Sequence, residues 1–119
     1  MREWRELRLY FRALADVRRL RMVAILAASG EVGVKDLCLQ LRASQPLVSW
    51  HLRVLTRCGL VATRRQGRQV FCSLNRDAFS AYQTRLAQML DDRGLENEGV
   101  SREDVGQFVG ATPPVSAGL

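Results

Sequence analysis

The sequence predicts a mainly helical domain that carries one small β-hairpin. Apolar residues recur at helical spacing over residues 2–57 and again over residues 75–93. β-prone residues at 60–63 and 70–74 flank a glycine-containing turn, which is typical of a hairpin. The predicted order is therefore four helices, two strands and a fifth helix.

The first predicted helix spans residues 2–15 and shows one apolar stripe. The stripe consists of Trp4, Leu7, Phe11 and Leu14. Because it begins so near the N-terminus, it has little of its own chain to pack on, and we expect it to form half of a dimer interface. Packing as an ordinary core helix is compatible with this role.

Two further helices are predicted before residue 42. Asp16 is expected to cap the second helix, and apolar residues surround that helix almost completely, which places it in the middle of the domain. These residues are Leu20, Val23, Ile25, Leu26 and Ala27. The third helix is short, runs from Val34 to Leu41 and has one apolar face. That face consists of Val34, Leu37, Cys38 and Leu41.

The stretch from Ser44 to Leu60 predicts a helix that is buried along one side only. Ser44 suits its cap, Pro46 its first turn and Gly59 its end. Its apolar face consists of Val48, Leu52 and Leu55, and its other surface carries Gln45, Ser49, Trp50, Arg53 and Arg57. Only a short connection separates it from the third helix, so the pair has the spacing of a helix-turn-helix, which places its second helix in the DNA major groove.

The hairpin that follows this helix predicts a wing. Arg64, Arg65 and Arg68 lie near its glycine turn. Arginines at a wing tip enter the minor groove where A·T-rich DNA concentrates negative potential. A solvated charged turn is the alternative interpretation.

The end of the chain predicts one more helix and a tail. Asn75 or Asp77 starts the helix and Gly94 ends it. Its stripe consists of Phe79, Tyr82, Leu86, Met89 and Leu90, and we expect it to pack with the first helix across the two-fold axis of a dimer. Residues 95–119 contain four glycines and two prolines, so we divide the chain into a domain of residues 1–94 and a flexible C-terminal tail of residues 95–119.

Charge and composition narrow the class of partner. Residues 1–76 carry 15 basic and 5 acidic side chains, whereas residues 77–119 carry 3 and 7, and a basic body suits a partner made of phosphates. No apolar run approaches the roughly 20 residues of a membrane span, and the N-terminus has no signal-peptide pattern, so we expect a cytoplasmic protein without membrane contact. No carboxylate cluster, nucleophile–histidine pair or phosphate-binding glycine loop indicates an enzyme.

Three sequence motifs indicate a resemblance to a known family. They are A-L-A-D-V-R-R-L-R at the second helix, S-Q-P-L-V-S-W-H-L-R-V-L-T-R-C-G-L-V at the fourth and R-R-Q-G-R-Q-V-F in the hairpin. Over residues 10 to about 90 the chain resembles the ArsR/SmtB family of bacterial winged-helix repressors. The resemblance implies a winged helix-turn-helix, dimerised through its first and last helices, that binds an inverted-repeat operator in double-stranded DNA.

The resemblance also implies which residues contact DNA. It further implies that binding of an inducer releases the protein from DNA. The DNA positions are Ser44, Gln45, Ser49, Trp50, His51 and Arg53 in the fourth helix, and Arg65 and Arg68 in the wing. Gln45 suits adenine, and Arg53 suits guanine or a phosphate. In this family the inducer is often a metal or metalloid ion.

The arsenic type of site is incomplete in this sequence. Where arsenic-responsive members carry three close cysteines, this chain carries Gly33, Lys35 and Cys38. One thiolate does not supply the three ligands expected for trivalent arsenic, and Lys35 adds a positive charge beside it. A metalloid site assembled from distant cysteines remains open.

The other common metal sites of the family are incomplete as well. The zinc type of site on the last helix is matched by Asp77 alone, and the one histidine of the chain, His51, lies on the fourth helix. The cadmium type is matched by Cys58, with Val54 at its other cysteine position. We therefore expect no metal or cofactor at these sites and an inducer of another kind.

Two alternatives stay open beside a small-molecule inducer. A thiol- or metalloid-responsive repressor would use Cys58, beside the Gly59 turn, with Cys38 or Cys72, although the latter two suit core positions. From another class, the chain would be a winged-helix module that binds a protein partner through its apolar stripe and binds DNA only weakly.

Overall fold

The computed structural model describes residues 2–91, which form five helices and three strands. The helices are α1 (Arg2–Leu14), α2 (Val17–Ser29), α3 (Val34–Leu41), α4 (Gln45–Arg57) and α5 (Arg76–Asp91). The strands are β1 (Val32–Gly33), β2 (Val61–Gln66) and β3 (Gln69–Leu74). The predicted fold class is confirmed, with β1 as an additional strand. The predicted tail of residues 95–119 lies outside the described residues.

The described residues divide between two units. Those up to Gln83 belong to one compact unit, which contains α1 to α4, the sheet and the first half of α5. Residues 84–91 continue α5 as helix and belong to the second unit. No helix in the described part of the chain is long and apolar enough to cross a bilayer.

The two predicted N-caps differ in what their side chains do. Asp16 Oδ1 accepts a hydrogen bond of 3.1 Å from the backbone N–H of Arg19, which satisfies one of the unpaired N–H groups at the start of α2. Ser44 occupies the N-cap position of α4 with extended backbone, but its side chain makes no capping hydrogen bond. Of these two residues, Asp16 alone makes the capping hydrogen bond.

Gly59 ends α4 as predicted, with a φ of +77°. The N–H of Leu60 donates to the carbonyl of Leu55 at 3.0 Å, and the N–H of Gly59 donates to that of Thr56 at 2.9 Å. This is the Schellman pattern, which needs a left-handed residue that glycine adopts without strain. It turns the chain directly from α4 into β2.

The sheet is antiparallel, in the order β1-β3-β2. Its hairpin is longer than predicted, because β2 continues to Gln66 and β3 starts at Gln69. Arg64 and Arg65 therefore lie in a strand, and Gly67 and Arg68 alone form the turn. β1 was missed because two residues, Val32 and Gly33, are too short to show an alternating pattern.

The core lies where α2, α3, α4 and the sheet meet. Its fully buried side chains are Met22, Leu26, Leu37, Val48, Leu55, Leu60 and Cys72. The prediction that α2 is apolar on nearly all sides and buried was wrong. Leu20 is 50% exposed and Ala27 is exposed, and only Arg19, Met22 and Leu26 of this helix are buried. The helix therefore packs against the core through one face only.

α1 buries a face next to the predicted one. Leu7 and Tyr10 are buried, whereas Phe11 is 44% exposed. Tyr10 stacks on Tyr82 with ring centroids 4.3 Å apart, and the Phe79 ring meets it edge-on at 6.1 Å. The first half of α5 therefore packs against α1 of its own chain, whereas the sequence predicted that these two helices meet across the two-fold axis of a dimer.

We predict that Asp16→Ala lowers the free energy of unfolding by about 1 kcal/mol, because the N–H of Arg19 loses its acceptor. Ser44→Ala is the matched control, since it removes an N-cap side chain that makes no capping bond; its loss should stay below about 0.5 kcal/mol. Urea unfolding followed by circular dichroism, at equal protein concentration, measures both. Equal losses would contradict the assigned cap.

Candidate nucleic-acid interface

α4 is fixed to the domain along one side, as its sequence predicts. Val48 and Leu55 are fully buried and Leu52 nearly so. Upstream, Arg42 adopts a left-handed backbone with φ 53°, and the N–H of Ala43 donates to the carbonyl of Cys38 at 3.1 Å. This tight connection joins α3 and α4 into a helix-turn-helix and leaves the opposite face of α4 open.

Four of the predicted DNA-contacting residues line one cleft. We call it the wing cleft; it has a volume of about 450 Å³ and lies between α4, the start of α3 and the hairpin. Gln45 and Ser49 line it from α4, and Arg65 and Arg68 line it from the hairpin. Lys35 also lines it, from the first turn of α3. Asp36 lines it too, so the cleft combines hydrogen-bonding groups and cationic side chains with one carboxylate.

Lys35 was not predicted to belong to this site. The sequence places it on the exposed side of α3, where a solvated lysine is ordinary. Only the packing of α3 against the hairpin brings it beside Arg65 and Arg68.

Arg64 has a partner within the protein, unlike its neighbours in the hairpin. Its Nη2 lies 2.6 Å and its Nε 2.7 Å from the two carboxylate oxygens of Glu31, and its Cζ lies 4.8 Å from the centre of the Phe71 ring. The hydrogen bonds from Arg64 lower the pKa of Glu31. Arg64 therefore joins β2 to the α2–β1 connection and, unlike Arg65 and Arg68, already has an anionic partner within the described residues.

The other side of α4 presents Trp50 and Arg53. Trp50 is 51% exposed and Arg53 is exposed. The guanidinium of Arg19 lies 5.5 Å from the centre of the Trp50 ring, a cation–π contact that holds the indole in place. Ser44, at the N-cap of α4, is exposed as well.

His51 lies in the interior and not on the open face. It is 4% exposed, and its Nδ1 lies 3.0 Å from Nη1 of Arg19. Since a guanidinium only donates, Nδ1 accepts and the proton of the neutral ring is on Nε2. Nε2 is buried without a hydrogen-bond partner in the described part of the chain. We therefore correct the expectation that His51 contacts DNA: it fixes α4 to α2.

The cysteines do not have the surroundings expected of a thiolate switch. Cys72 is fully buried, its thiol donates to the carbonyl of Val32 at 3.2 Å, and burial raises its pKa to about 11. The thiol of Cys58 donates to the carbonyl of Leu9 at 3.4 Å. Burial raises the pKa of Cys58 despite the opposing effect of Arg19 and Arg57, which does not favour the reactive thiolate that the thiol-responsive alternative needs. Cys38 is half-buried at the core.

Metal-ligating side chains are dispersed. Within residues 2–91 no group of three or more histidine, cysteine, aspartate or glutamate side chains is placed to hold a metal ion. Asp77 lies in the first turn of α5, and Gly33 and Lys35 stand near the start of α3, as in the sequence.

A helix-turn-helix with an open polar face, followed by an arginine-bearing hairpin, defines a winged helix-turn-helix protein. A family model described as bacterial regulatory protein, arsR family, matches residues 16–63. The arsenical resistance operon repressor of Escherichia coli is 45% identical over 65 residues, which are 55% of this chain and 56% of that protein. The chain spans about half the length of the curated relatives it matches.

Solved structures are also similar to this chain. HlyU from Vibrio cholerae has 31% identity and a TM-score of 0.58, covering 71% of this chain and 90% of that one. A homodimeric winged helix-turn-helix DNA-binding domain from Mycobacterium bovis has 26% identity and a TM-score of 0.60, covering 79% and 85%. The chain belongs to the ArsR family of bacterial regulatory proteins, which confirms the family predicted from its sequence.

We predict that acidification destabilises the protein through His51. Burial lowers its pKa in the folded state, with Arg19 and Arg18 acting in the same direction and Asp16 opposing them. The stability that His51 confers is therefore fully present above its unfolded pKa of about 6.5, and it is lost as the pH falls from there through the folded pKa. The free energy of unfolding should decrease by up to about 1.4 kcal/mol per pH unit in that window.

His51→Gln is the control, because glutamine offers Arg19 an uncharged acceptor at every pH. The variant should lose the pH dependence that the wild type shows below about pH 6.5. Urea unfolding at a series of pH values measures both proteins. Parallel profiles would show that His51 is not the titrating group.

Proposed function

We propose that the chain is a sequence-specific DNA-binding transcriptional repressor that acts as a homodimer on an inverted-repeat operator. The observation that carries the proposal is the wing cleft, where Gln45 and Ser49 of α4 lie beside Arg65 and Arg68. Gln45 and Ser49 would read base edges in the major groove. Arg65 and Arg68 would contact phosphates or the adjacent minor groove.

The charges of this face suit a polyanion. Arg53, Arg65 and Arg68 are exposed, and no described carboxylate forms an ion pair with them. Trp50 extends the same face and would contact a thymine methyl or a sugar. Ser44 extends it as well and would contact a phosphate. A protein-interaction module would have no need of these unpaired arginines. We therefore do not propose that the chain is such a module, and we do not propose a catalytic function.

The relatives support both repression and dimerisation. The Escherichia coli relative is a repressor, and the Mycobacterium bovis domain is homodimeric. We propose that the dimer forms through α1 and α5. Its interface would include Trp4 and the exposed edge of Phe11 on α1, with Phe79, Tyr82, Leu86 and Met89 on α5. The buried Leu7 would support that face from beneath.

We propose an inducer that does not use the common metal sites of the family. The surroundings of Cys58 and Cys72 make a low-pKa thiol switch the weaker alternative. The protein would act in the cytoplasm.

We predict that Arg53→Ala weakens binding to the cognate operator by about 1–3 kcal/mol and relaxes the preference at one base pair per half-site. The operator is first selected from a randomised duplex library with the full chain. Fluorescence anisotropy then measures affinity for the selected duplex and for its single-base variants. Full affinity with unchanged preference would remove Arg53 from the interface.

We predict that Arg68→Ala weakens binding to all sequences alike and reduces the slope of log affinity against log salt by about one. Arg64→Ala is the matched control, since Arg64 lies in the same hairpin but is paired with Glu31. Its salt slope should equal that of the wild type. A slope lowered by Arg64→Ala and not by Arg68→Ala would reverse the assignment of the wing contacts.

We predict that Phe11→Glu converts the dimer to monomers, because it places a charge on the exposed edge of α1. Leu39→Glu is the matched control, on a residue of α3 that is 75% exposed and lies outside the proposed interface. Sedimentation equilibrium gives the oligomeric state, and circular dichroism checks that both variants keep their helices. A dimer that survives in the folded Phe11→Glu variant would exclude this interface.

A further inference from the structure

A second cleft lies on the other flank of α4. We call it the α1–α4 cleft; its volume is about 530 Å³, within the range of small-molecule sites. Leu9 and Ala13 of α1 and Val54 of α4 contribute its apolar surface. Trp50 adds an aromatic surface, which the cation–π contact with Arg19 holds in place.

The polar lining of this cleft is cationic. Arg12, Arg19, Arg53 and Arg57 all line it, and no aspartate or glutamate is among its lining residues. None of these arginines forms an ion pair with a described carboxylate. The cleft therefore concentrates positive charge above an apolar surface, an arrangement that favours an anionic guest.

Arg19 makes this charge unusual, because it is buried. It is 8% exposed, and its guanidinium donates to the carbonyl of Ala13 at 2.6 Å, to that of Arg12 at 3.5 Å and to His51 Nδ1. All three acceptors are neutral. A buried charge is ordinarily paired with an opposite one. Asp16 lies near enough to interact electrostatically with Arg19, but no described carboxylate forms an ion pair with its guanidinium, so an anion in the cleft would be its first such partner.

We infer that the α1–α4 cleft binds a small planar anion, of the class of aromatic carboxylates, and that this ligand is the inducer. The flat apolar part would lie against Trp50 and the apolar surface, and the carboxylate would accept hydrogen bonds from the arginines. A DNA phosphate shares the anionic chemistry, but a backbone phosphate has no apolar part to fill a concave site.

The regulatory half of this inference rests on the proposed function. Trp50 and Arg53 line the cleft and also belong to the proposed DNA-contacting face. A ligand that engages them withdraws them from DNA and neutralises positive charge next to the phosphates. Ligand and operator therefore compete for the same side chains.

The first experiment titrates the full chain with 1-naphthoate in the absence of DNA. The two tryptophan indole N–H signals in a ¹H–¹⁵N NMR spectrum report the site, because Trp50 lines the cleft and Trp4 does not. The Trp50 signal should shift and the Trp4 signal should stay. The uncharged 1-naphthamide should bind about tenfold or more weakly, since it lacks the charge-assisted hydrogen bonds.

The matched variants separate this site from the wing. Arg12→Gln with Arg57→Gln should weaken 1-naphthoate binding by about tenfold or more. Arg68→Gln, at the wing turn outside the cleft, should leave it unchanged. An unmoved Trp50 signal in the folded wild type, equal binding of naphthoate and naphthamide, or equal loss in Arg68→Gln would each overturn the inference.

A second experiment tests the coupling. Saturating 1-naphthoate should weaken binding of the wild type to the selected operator by about tenfold or more, and should have little effect on the Arg12→Gln, Arg57→Gln protein. An operator affinity that is unchanged by a bound naphthoate would refute the role as inducer site. Failure of every duplex to bind would refute the proposed function instead, while the NMR titration would still decide the cleft.

Discussion

The buried guanidinium of Arg19 is the contact on which the arrangement of the helices depends. It donates to the carbonyls of Ala13 and Arg12, in the last turn of α1, where carbonyls have no partner within the helix. The C-terminal end of a helix is also its negative end, so these acceptors partly offset the charge. The third donor reaches His51 on α4. One side chain of α2 thereby joins α1 to α4.

This junction connects the proposed dimer interface to the proposed DNA-contacting face. A dimeric helix-turn-helix protein must hold its two recognition helices about one turn of DNA apart, roughly 34 Å. If α1 lies at the two-fold axis, that spacing depends on the angle between α1 and α4, which Arg19 and His51 fix. The α1–α4 cleft lies between these same helices. A ligand in this cleft would therefore change the angle between α1 and α4 as well as neutralise positive charge.

Periodicity predicted the helices of this fold well, but it did not select between adjacent faces. In α1, a stripe through Leu7 and Phe11 and another through Leu7 and Tyr10 both satisfy helical spacing. Stacking on Tyr82, which is 72 positions further along the chain, buries Tyr10. Long-range contacts of this kind leave no local pattern. The two-residue strand β1 was missed for a related reason, because its pairing with β3 defines it.

The site was predictable to the level of elements and less so to the level of single arginines. Successive residues of a strand face opposite sides, so Arg64 and Arg65 diverge once β2 extends through both. Arg64 meets Glu31, and Arg65 faces the wing cleft. Arg19 left a readable trace, since its spacing of three and seven residues from Met22 and Leu26 puts it on the buried face of α2. The availability of a charge to a ligand thus follows from its partners in the fold.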